Sequence, residues 1–140
     1  MRFSSLLLST RKETVSQVSI KSQELLIRAG FIRQLSAGIF SSLHLAHRSL
    51  NKIGTILREE MNEIGGVEVS LPIVHPASIW KQTNRYHEID DSLVRFADRA
   101  GREMVLGMTH EEVVASLAKS EVSTYRQLPK LIYQLQTKFR

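Results

Sequence analysis

The densest cluster of side chains that could do chemistry is Thr109-His110-Glu111-Glu112. One interpretation is structural: Thr109 caps a helix, and Glu112 at the third helical position completes a capping box. A cap needs neither His110 nor Glu111. The alternative is therefore that the Glu111 carboxylate, kept ionised by the positive end of the helix dipole, binds a cationic ligand. A zinc-protease helix is excluded because Val114 stands where its second histidine would fall.

Two further sets of residues could bind a ligand. Lys138 and Arg140 lie on one face of a predicted strand, where a planar guanidinium can bind a phosphate or a carboxylate through two parallel hydrogen bonds. The structural alternative is a pair of solvated charges at a sheet edge. Trp80 and Arg85 could form an aromatic–cation contact, although a tryptophan on a short helix more often packs in a core.

Several site classes are excluded by what the sequence lacks. Neither standard glycine-rich phosphate loop occurs, so any nucleotide would be held by side chains and sheet. The absence of cysteine excludes disulfides, thiolate zinc sites and a cysteine nucleophile. The remaining histidines show no ligand-like spacing, and we predict no catalytic role for them: His44, His47, His75 and His87.

Hydrophobic periodicity predicts the elements that position these residues in the first half of the chain. A helix is predicted over 15–29, ended by Gly30, and a short extended segment over 37–41. A longer helix is predicted over 46–64, since its apolar residues recur every three or four positions. Apolar and polar residues then alternate over 67–73, as in a strand. Because proline cannot donate to a strand ladder, Pro72 predicts a sheet edge or a subunit junction.

The second half alternates short helices and strands. We predict a short helix over 76–84, a hairpin over 93–106 with its turn at 98–102, and a helix that ends near Lys119. The alternation over 131–140 predicts a last strand that stops in the middle of a sheet. The fold class is therefore α+β, an antiparallel sheet flanked by helices.

Composition bounds the class of protein. The 140 residues are 42% hydrophobic and 24% charged, and no apolar run is long enough to span a bilayer, which predicts one soluble, cytoplasmic domain with no membrane partner. The net charge is +5, with basic excess in residues 1–60 and 113–140 and acidic excess between them. A basic balance favours polyanionic partners such as nucleic acid or nucleotide, although it can also simply maintain solubility.

A series of short motifs runs in order along the whole chain. Its members are Arg2-x-Ser4, Ser9-Thr10-x-Lys12-Glu13, Leu26-x-Arg28-Ala29-Gly30, Ile32-Arg33, Arg58-Glu59-Glu60-Met61, Glu68-Val69-x-Leu71-Pro72, Leu106-Gly107-x-Thr109-His110-Glu111-Glu112, Gln127-Leu128-Pro129, Tyr133-Gln134 and Thr137-Lys138-Phe139-Arg140. In order and spacing these motifs resemble the N-terminal part of the catalytic domain of bacterial-type prolyl-tRNA synthetases, which are class II aminoacyl-tRNA synthetases.

The resemblance implies a division of residues 1–140 into parts of a class II catalytic domain. Motif 1 would lie at about 46–76, with Pro72 at a homodimer interface. A proline-binding loop would lie at 107–112, and motif 2 would begin at about 131–140. Motif 3, the inserted editing domain and the anticodon-binding domain of the family have no counterpart in the sequence, which we therefore expect to be a fragment.

The resemblance also implies the reaction. The family activates proline with ATP and magnesium to prolyl-adenylate and transfers the prolyl group to tRNA(Pro). Thr109 and Glu111 match the residues that bind the secondary amine of proline. Arg140 matches the first arginine of motif 2, a catalytic residue that contacts the α-phosphate of ATP and the amino-acid carboxylate. The family's magnesium ligands lie outside this segment, so no metal ligand is predicted here.

Two functions of different classes follow. The first is a proline–tRNA ligase fragment, inactive in isolation because most of the catalytic domain is missing. The second is a non-catalytic, free-standing dimerisation or RNA-associated module that uses the motif 1 face and the basic ends of the chain.

Overall fold

A computed structural model describes residues 2–7, 9–12 and 20–139 of the chain. Its contacts divide the chain into two compact units, residues 1–60 and residues 61–140, where the length alone favoured a single domain. The first unit opens with a 3-10 turn at Phe3–Ser5. None of the described helices is both long enough and apolar enough to cross a membrane.

Residues 1–60 contain one short helix and a hairpin before a long helix. The first helix, α1, covers Lys21–Arg28 and ends at Gly30, whose φ of +75° is readily adopted only by glycine. The start of the predicted 15–29 helix falls outside the described residues. Strands β1 (Ile32–Ser36) and β2 (Ile39–Ser42) pair antiparallel. The predicted extended segment at 37–41 is therefore partly the turn of this hairpin.

The longest helix, α2, covers His44–Glu63, close to the predicted 46–64. Its apolar stripe is only half buried, since Leu50 is 55% exposed, Ile53 53% and Leu57 45%. After the helix, Gly65 adopts a φ of +83°, and the Gly66 amide donates to the Met61 carbonyl. These two glycines turn the chain out of the helix.

Residues 61–140 are organised around a three-stranded antiparallel sheet. Its order is β4 (Val74–Pro76), β6 (Glu103–Leu106) and β5 (Arg95–Ala97). The predicted hairpin is confirmed, because β5 and β6 pair directly. The Asp98 side chain closes the turn by accepting from the Ala100 and Arg102 amides, and Gly101 supplies a φ of +75°.

Three helices pack in this unit: α3 (Ala77–Gln82), α4 (Arg85–Glu88) and α5 (Glu111–Glu121). A 3-10 turn, Tyr125–Gln127, follows α5. The buried core joins α3 to the sheet and to the loop before β5, and consists of Ala77, Trp80, Leu93 and Val105. The predicted packing role of Trp80 is confirmed, since its side chain is completely buried.

The predicted strands at 67–73 and 131–140 are largely wrong. Among the described residues of these two ranges, only β3 (Val67–Glu68) and β7 (Ile132–Tyr133) are strands. They pair parallel, so an exclusively antiparallel sheet is also wrong. Beyond them the Gln136 side chain takes the place of a strand neighbour. It accepts from the Leu71 amide at 2.9 Å and donates to the Leu71 carbonyl at 2.6 Å.

Pro72 lies between β3 and β4 and belongs to no strand, so its predicted place within an edge strand is wrong. The physical reason is that the chain around it bonds to side chains instead of to a strand ladder. Its carbonyl oxygen lies 2.8 Å from His75 Nε2 and 3.0 Å from His110 Nε2.

Candidate substrate-binding cleft

The first turn of α5 carries two carboxylates with different surroundings. The Glu112 side chain is 2% exposed, and its Oε1 accepts from Arg85 Nη1 at 2.6 Å. The helix begins after His110, whose side chain makes no capping hydrogen bond. The capping-box prediction for Thr109 and Glu112 is therefore wrong, because the Glu112 carboxylate accepts from Arg85, 27 positions earlier, instead of from the start of the helix.

Glu111, by contrast, is accessible. Its side chain is 71% exposed, and its Oε2 lies 3.7 Å from Arg85 Nη1. A hydrogen bond from the Thr109 side chain, followed by one from the Glu111 backbone amide and by the charge of Arg85, holds the pKa of the Glu111 carboxyl below its usual range. Glu111 is therefore an ionised, solvent-facing carboxylate at neutral pH, with Thr109 fixed beside it.

Thr109 and Glu111 face a cleft of about 380 Å³. Three segments form its walls: the loop before α5, the first turns of α5, and the last residues of the chain. Its lining comprises Thr109, His110, Glu111, Val114, Ala115, Gln134 and Lys138. The cleft therefore brings together the predicted acid and one of the two predicted cations, although 27 positions separate Glu111 and Lys138 in the sequence.

Gly107 joins the segments behind this cleft. Its amide donates to the Ile73 carbonyl at 2.7 Å, and its carbonyl accepts from the Phe139 amide at 3.0 Å. A Cβ at Gly107 would lie 2.5 Å from Cε1 of His75, closer than any ordinary contact. Only glycine lets the chain pass the imidazole ring this closely.

Of the predicted site residues, Thr109 and Glu111 meet in the cleft, and Pro72 lies behind it through His110. Arg140 lies outside the described residues. Its predicted companion, Lys138, bonds through Nζ to His110 Nδ1 at 2.7 Å, so it is not simply a solvated edge charge.

The predicted contact between Trp80 and Arg85 is present, with the guanidinium carbon 5.1 Å from the ring centroid. The same guanidinium reaches Glu112 and, at 3.4 Å, the Thr109 hydroxyl. Arg85 therefore connects the core tryptophan to both ends of the Thr109–Glu112 run.

Sequence reasoning missed the histidines. His75 is fully buried and His110 is 3% exposed, and their rings meet edge to face with centroids 4.9 Å apart. His75 also accepts from the Trp80 indole N–H at 3.2 Å. The available signal was Gly107, whose lack of a side chain marks a close approach, but the sequence alone does not identify its neighbour.

Chemically, the cleft offers an ionised carboxylate and a hydroxyl for a cationic group, and an ammonium in the opposite wall. This donor set suits a small zwitterion, since carboxylates and ammonium groups form strong charge-assisted hydrogen bonds. Among the described residues, no group of three or more histidine and acidic side chains is arranged to hold a metal ion.

Comparisons with known proteins give one clear relationship. The chain is 49% identical over all 140 residues to the proline–tRNA ligase of Thermodesulfovibrio yellowstonii, and 51% identical over the same length to proline–tRNA ligase 1 of Anaeromyxobacter dehalogenans and to the proline–tRNA ligase of Syntrophus aciditrophicus. In each case the chain spans 24% of the relative's length. No family model matches the chain.

A solved structure supports the mixed helix-and-strand fold. The structure titled as the RNA-binding domain of threonyl-tRNA synthetase from Cryptosporidium parvum Iowa II superposes with a TM-score of 0.66. It covers 74% of this chain and 26% of its own, at 23% sequence identity. That likeness concerns the fold alone. The identity of about one half over the complete sequence, however, shows that the chain belongs to the proline–tRNA ligase family, of whose members it spans about a quarter.

Proposed function

We propose that the chain is the part of a proline–tRNA ligase that binds proline during its activation by ATP. The observation that carries the proposal is the sequence identity of 49% and 51% to such ligases over all 140 residues. Prolinium has two N–H donors on a single cationic nitrogen. The Glu111 carboxylate would accept from that nitrogen while the Thr109 hydroxyl fixes the direction of approach, and the cleft that contains both side chains supports these roles.

The negative charges of the two reactants determine what the rest of the site must do. The proline carboxylate attacks the α-phosphorus of ATP, with pyrophosphate as the leaving group, and two anions must be brought together. Catalysis is then mainly positioning and charge neutralisation. In this proposal Arg140 is the catalytic residue that contacts the α-phosphate and the amino-acid carboxylate. Magnesium, which in the family accompanies ATP, would be bound by residues outside this segment, and the prolyl group would pass to tRNA(Pro), with the cytoplasm as the expected compartment.

The proposal extends to a class II catalytic domain. Motif 1 at about 46–76 would comprise α2 and the chain through β4, the proline loop would be 107–112, and motif 2 would begin at about 131–140. The half-exposed apolar stripe on α2 supports a homodimer through motif 1, since a second copy would remove these side chains from water. Pro72 would lie at that interface.

Proline-dependent exchange of pyrophosphate into ATP tests the proposal. The 140-residue chain is expected to give no exchange, whereas a protein extended through motif 3 is expected to be active. Robust exchange by the short chain would contradict the requirement for the missing segments, and no exchange by the extended protein would contradict the ligase assignment.

Glu111→Ala in the extended protein tests the site. It should raise the KM for proline by about a hundredfold with little change in the KM for ATP, because only the amine loses its charged partner. Glu121→Ala, at the other end of α5, is the matched control and should leave both constants unchanged. Equal loss of proline and ATP binding in Glu111→Ala would indicate a structural role.

The second candidate, a non-catalytic RNA-associated module, is favoured by the basic excess in residues 1–60 and 113–140. Such a module should bind tRNA with an affinity that falls steeply as salt rises, because phosphate contacts release counterions. Salt-dependent tRNA binding by an extended protein that performs no exchange would establish this candidate over the ligase.

A further inference from the structure

Two buried histidines meet at one carbonyl oxygen behind the cleft. His75 Nε2 and His110 Nε2 lie 2.8 Å and 3.0 Å from the Pro72 oxygen. A carbonyl oxygen has two lone pairs and can accept from both rings. The contacts therefore join the segment around Pro72 to the loop that carries Thr109 and Glu111.

The partners on the other ring nitrogens determine the tautomer of His75 and favour the same tautomer for His110. The Trp80 indole nitrogen can only donate, so His75 Nδ1 must accept and its Nε2 carries the proton. Lys138 Nζ likewise only donates, so His110 Nδ1 accepts from it, and Nε2 carries the proton that donates to the Pro72 carbonyl. The Gln136 amide nitrogen also lies 2.8 Å from His110 Nε2; because both atoms are donors in this tautomer, that contact is a close approach and not a hydrogen bond. Protonation of His110 would remove the lone pair that Lys138 uses.

The surroundings of His110 keep it in the neutral form. Burial, followed by the positive charge of Lys138 and the neighbouring His75 ring, lowers the pKa of the His110 imidazole below its usual value, while Glu111 and the Pro72 carbonyl act in the opposite direction.

His110 thus has its backbone in the proposed proline loop and its side chain directed away from solvent. Its neighbours differ: Thr109 is half-buried and Glu111 exposed, and both line the cleft. Holding His110 to Pro72 fixes the direction of the loop, and holding Lys138 to His110 fixes the opposite wall. His110 therefore helps to set the distance between the two walls, together with the backbone hydrogen bond from the Phe139 amide to the Gly107 carbonyl.

We propose that His110 is a positioning residue of the cleft: as a neutral imidazole, it anchors the Thr109–Glu111 loop to the Pro72 carbonyl and holds the Lys138 ammonium in the facing wall. This role rests on the proposed function for its effect on proline. The geometry itself can be tested independently of any activity.

Kinetic measurements on the extended ligase test the effect on substrate. His110→Phe keeps a ring but removes both hydrogen bonds, and should raise the KM for proline about tenfold. His110→Gln retains one donor and one acceptor, and should recover most of that loss. His87→Gln, an exposed histidine of the same unit, is the matched control and should match the parent protein. A normal KM for proline in His110→Phe would overturn the proposal, even if that variant were less thermostable.

The pH profile separates positioning from simple packing. In the parent protein the KM for proline should rise as the pH falls below 6.5, when His110 gains a proton and releases Lys138. His110→Gln cannot be protonated in this range and should lack this rise. An identical acidic limb in both proteins would overturn the proposal.

Histidine ¹⁵N spectra of the 140-residue chain test the geometry without an enzymatic readout. At pH 7 His110 should be a neutral Nε2–H tautomer, and His75 should carry a proton on Nε2. Lys138→Met should raise the pKa of His110, because a neighbouring positive charge is lost, whereas Lys130→Met on the same segment should not. A Nδ1–H tautomer at His110, or no response to Lys138→Met, would overturn the proposal. Correct tautomers together with an extended protein that lacks exchange would instead refute the proposed ligase function and leave the positioning geometry in place.

Discussion

The long helix of residues 1–60 exposes apolar side chains, whereas residues 61–140 bury polar ones. On α2 about half of the surface of Leu50, Ile53 and Leu57 remains accessible to water. In the second unit His75 and His110 are buried with their ring nitrogens paired. Burial in this molecule therefore follows the availability of partners as well as hydrophobicity.

The comparison also shows that exposed apolar side chains and buried polar side chains have different energetic requirements. An exposed apolar stripe gains free energy when any suitable apolar surface covers it. A buried polar cluster has the opposite requirement, since each group must keep its own partner or lose about 1–3 kcal/mol. We expect substitutions in residues 61–140 to be costly and specific, and substitutions on the α2 stripe to be mild in a dilute monomer.

The largest expected contrast is between two leucines. Leu93 is 2% exposed, and Leu93→Ala should lower the free energy of unfolding by about 2–5 kcal/mol. Leu50 is 55% exposed, and Leu50→Ala should cost about 0.5 kcal/mol or less at high dilution. Urea unfolding can measure the first by the fluorescence of the single tryptophan, Trp80, and the second by circular dichroism. Equal losses at high dilution would contradict the contrast.

The next effect concerns ion pairs. Arg85→Met leaves the buried Glu112 carboxylate without its partner and should cost about 2–3 kcal/mol. Arg28→Met removes a helical pair with Glu24, in which the arginine is 41% exposed, and should cost about 0.5 kcal/mol or less. Adding Glu112→Leu to Arg85→Met should recover stability, and no recovery in the double variant would show that the Arg85 effect does not come from the stranded charge.

Two glycine substitutions should change the free energy of unfolding in opposite directions. Gly107→Ala brings a Cβ to 2.5 Å from the His75 ring and should cost about 1–3 kcal/mol in thermal or urea unfolding. Gly54→Ala lies inside α2, where the new Cβ meets only the mobile end of Arg58 at 3.2 Å, and should stabilise by up to about 1 kcal/mol. A neutral Gly107→Ala would show that His75 can move without loss.

The smallest expected effect is a pH dependence of stability. Because the pKa of His110 is lower in the folded chain than its usual 6.5, the unfolded chain binds this proton more readily. The contribution of His110 to the free energy of unfolding is therefore greatest above pH 6.5. It decreases as the pH drops through the pKa of the folded state, by at most about 1.4 kcal/mol per pH unit. This pH range lies above the range in which Glu111 titrates, because the pKa of the Glu111 carboxyl is also lowered. His110→Gln should remove the slope in this window, and an unchanged slope would assign it to another group.

Local patterns predicted the local structures well. The turn at 98–102 follows from residues within it, since Asp98 accepts two amides and Gly101 adopts the left-handed backbone conformation. The helix predicted at 46–64 is observed as His44–Glu63, because its periodicity and the glycines after it are sequence signals. Neither element depends on a distant residue.

The failures all involve distant partners. Alternation over 131–140 cannot reveal that β7 pairs parallel with β3 for only two residues. Thr109 and Glu112 have the spacing of a capping box, and no residue near them in the sequence indicates that the Glu112 carboxylate instead accepts from Arg85. The burial of His75 likewise depends on Gly107 and His110, which lie more than 30 positions away in the sequence and which only the fold brings to it.

The side chain of Gln136 has a consequence for the alignment of the last segment. It meets both backbone groups of Leu71, and neither neighbour, Leu135 nor Thr137, carries a separate donor and acceptor that could replace it. A shift by one residue is therefore disfavoured. Because side chains two apart in an extended segment lie on the same side, this alignment also places Lys138 next to His110: the Gln136 amide nitrogen lies 2.8 Å from Nε2 of that imidazole, and Lys138 Nζ lies 2.7 Å from its Nδ1.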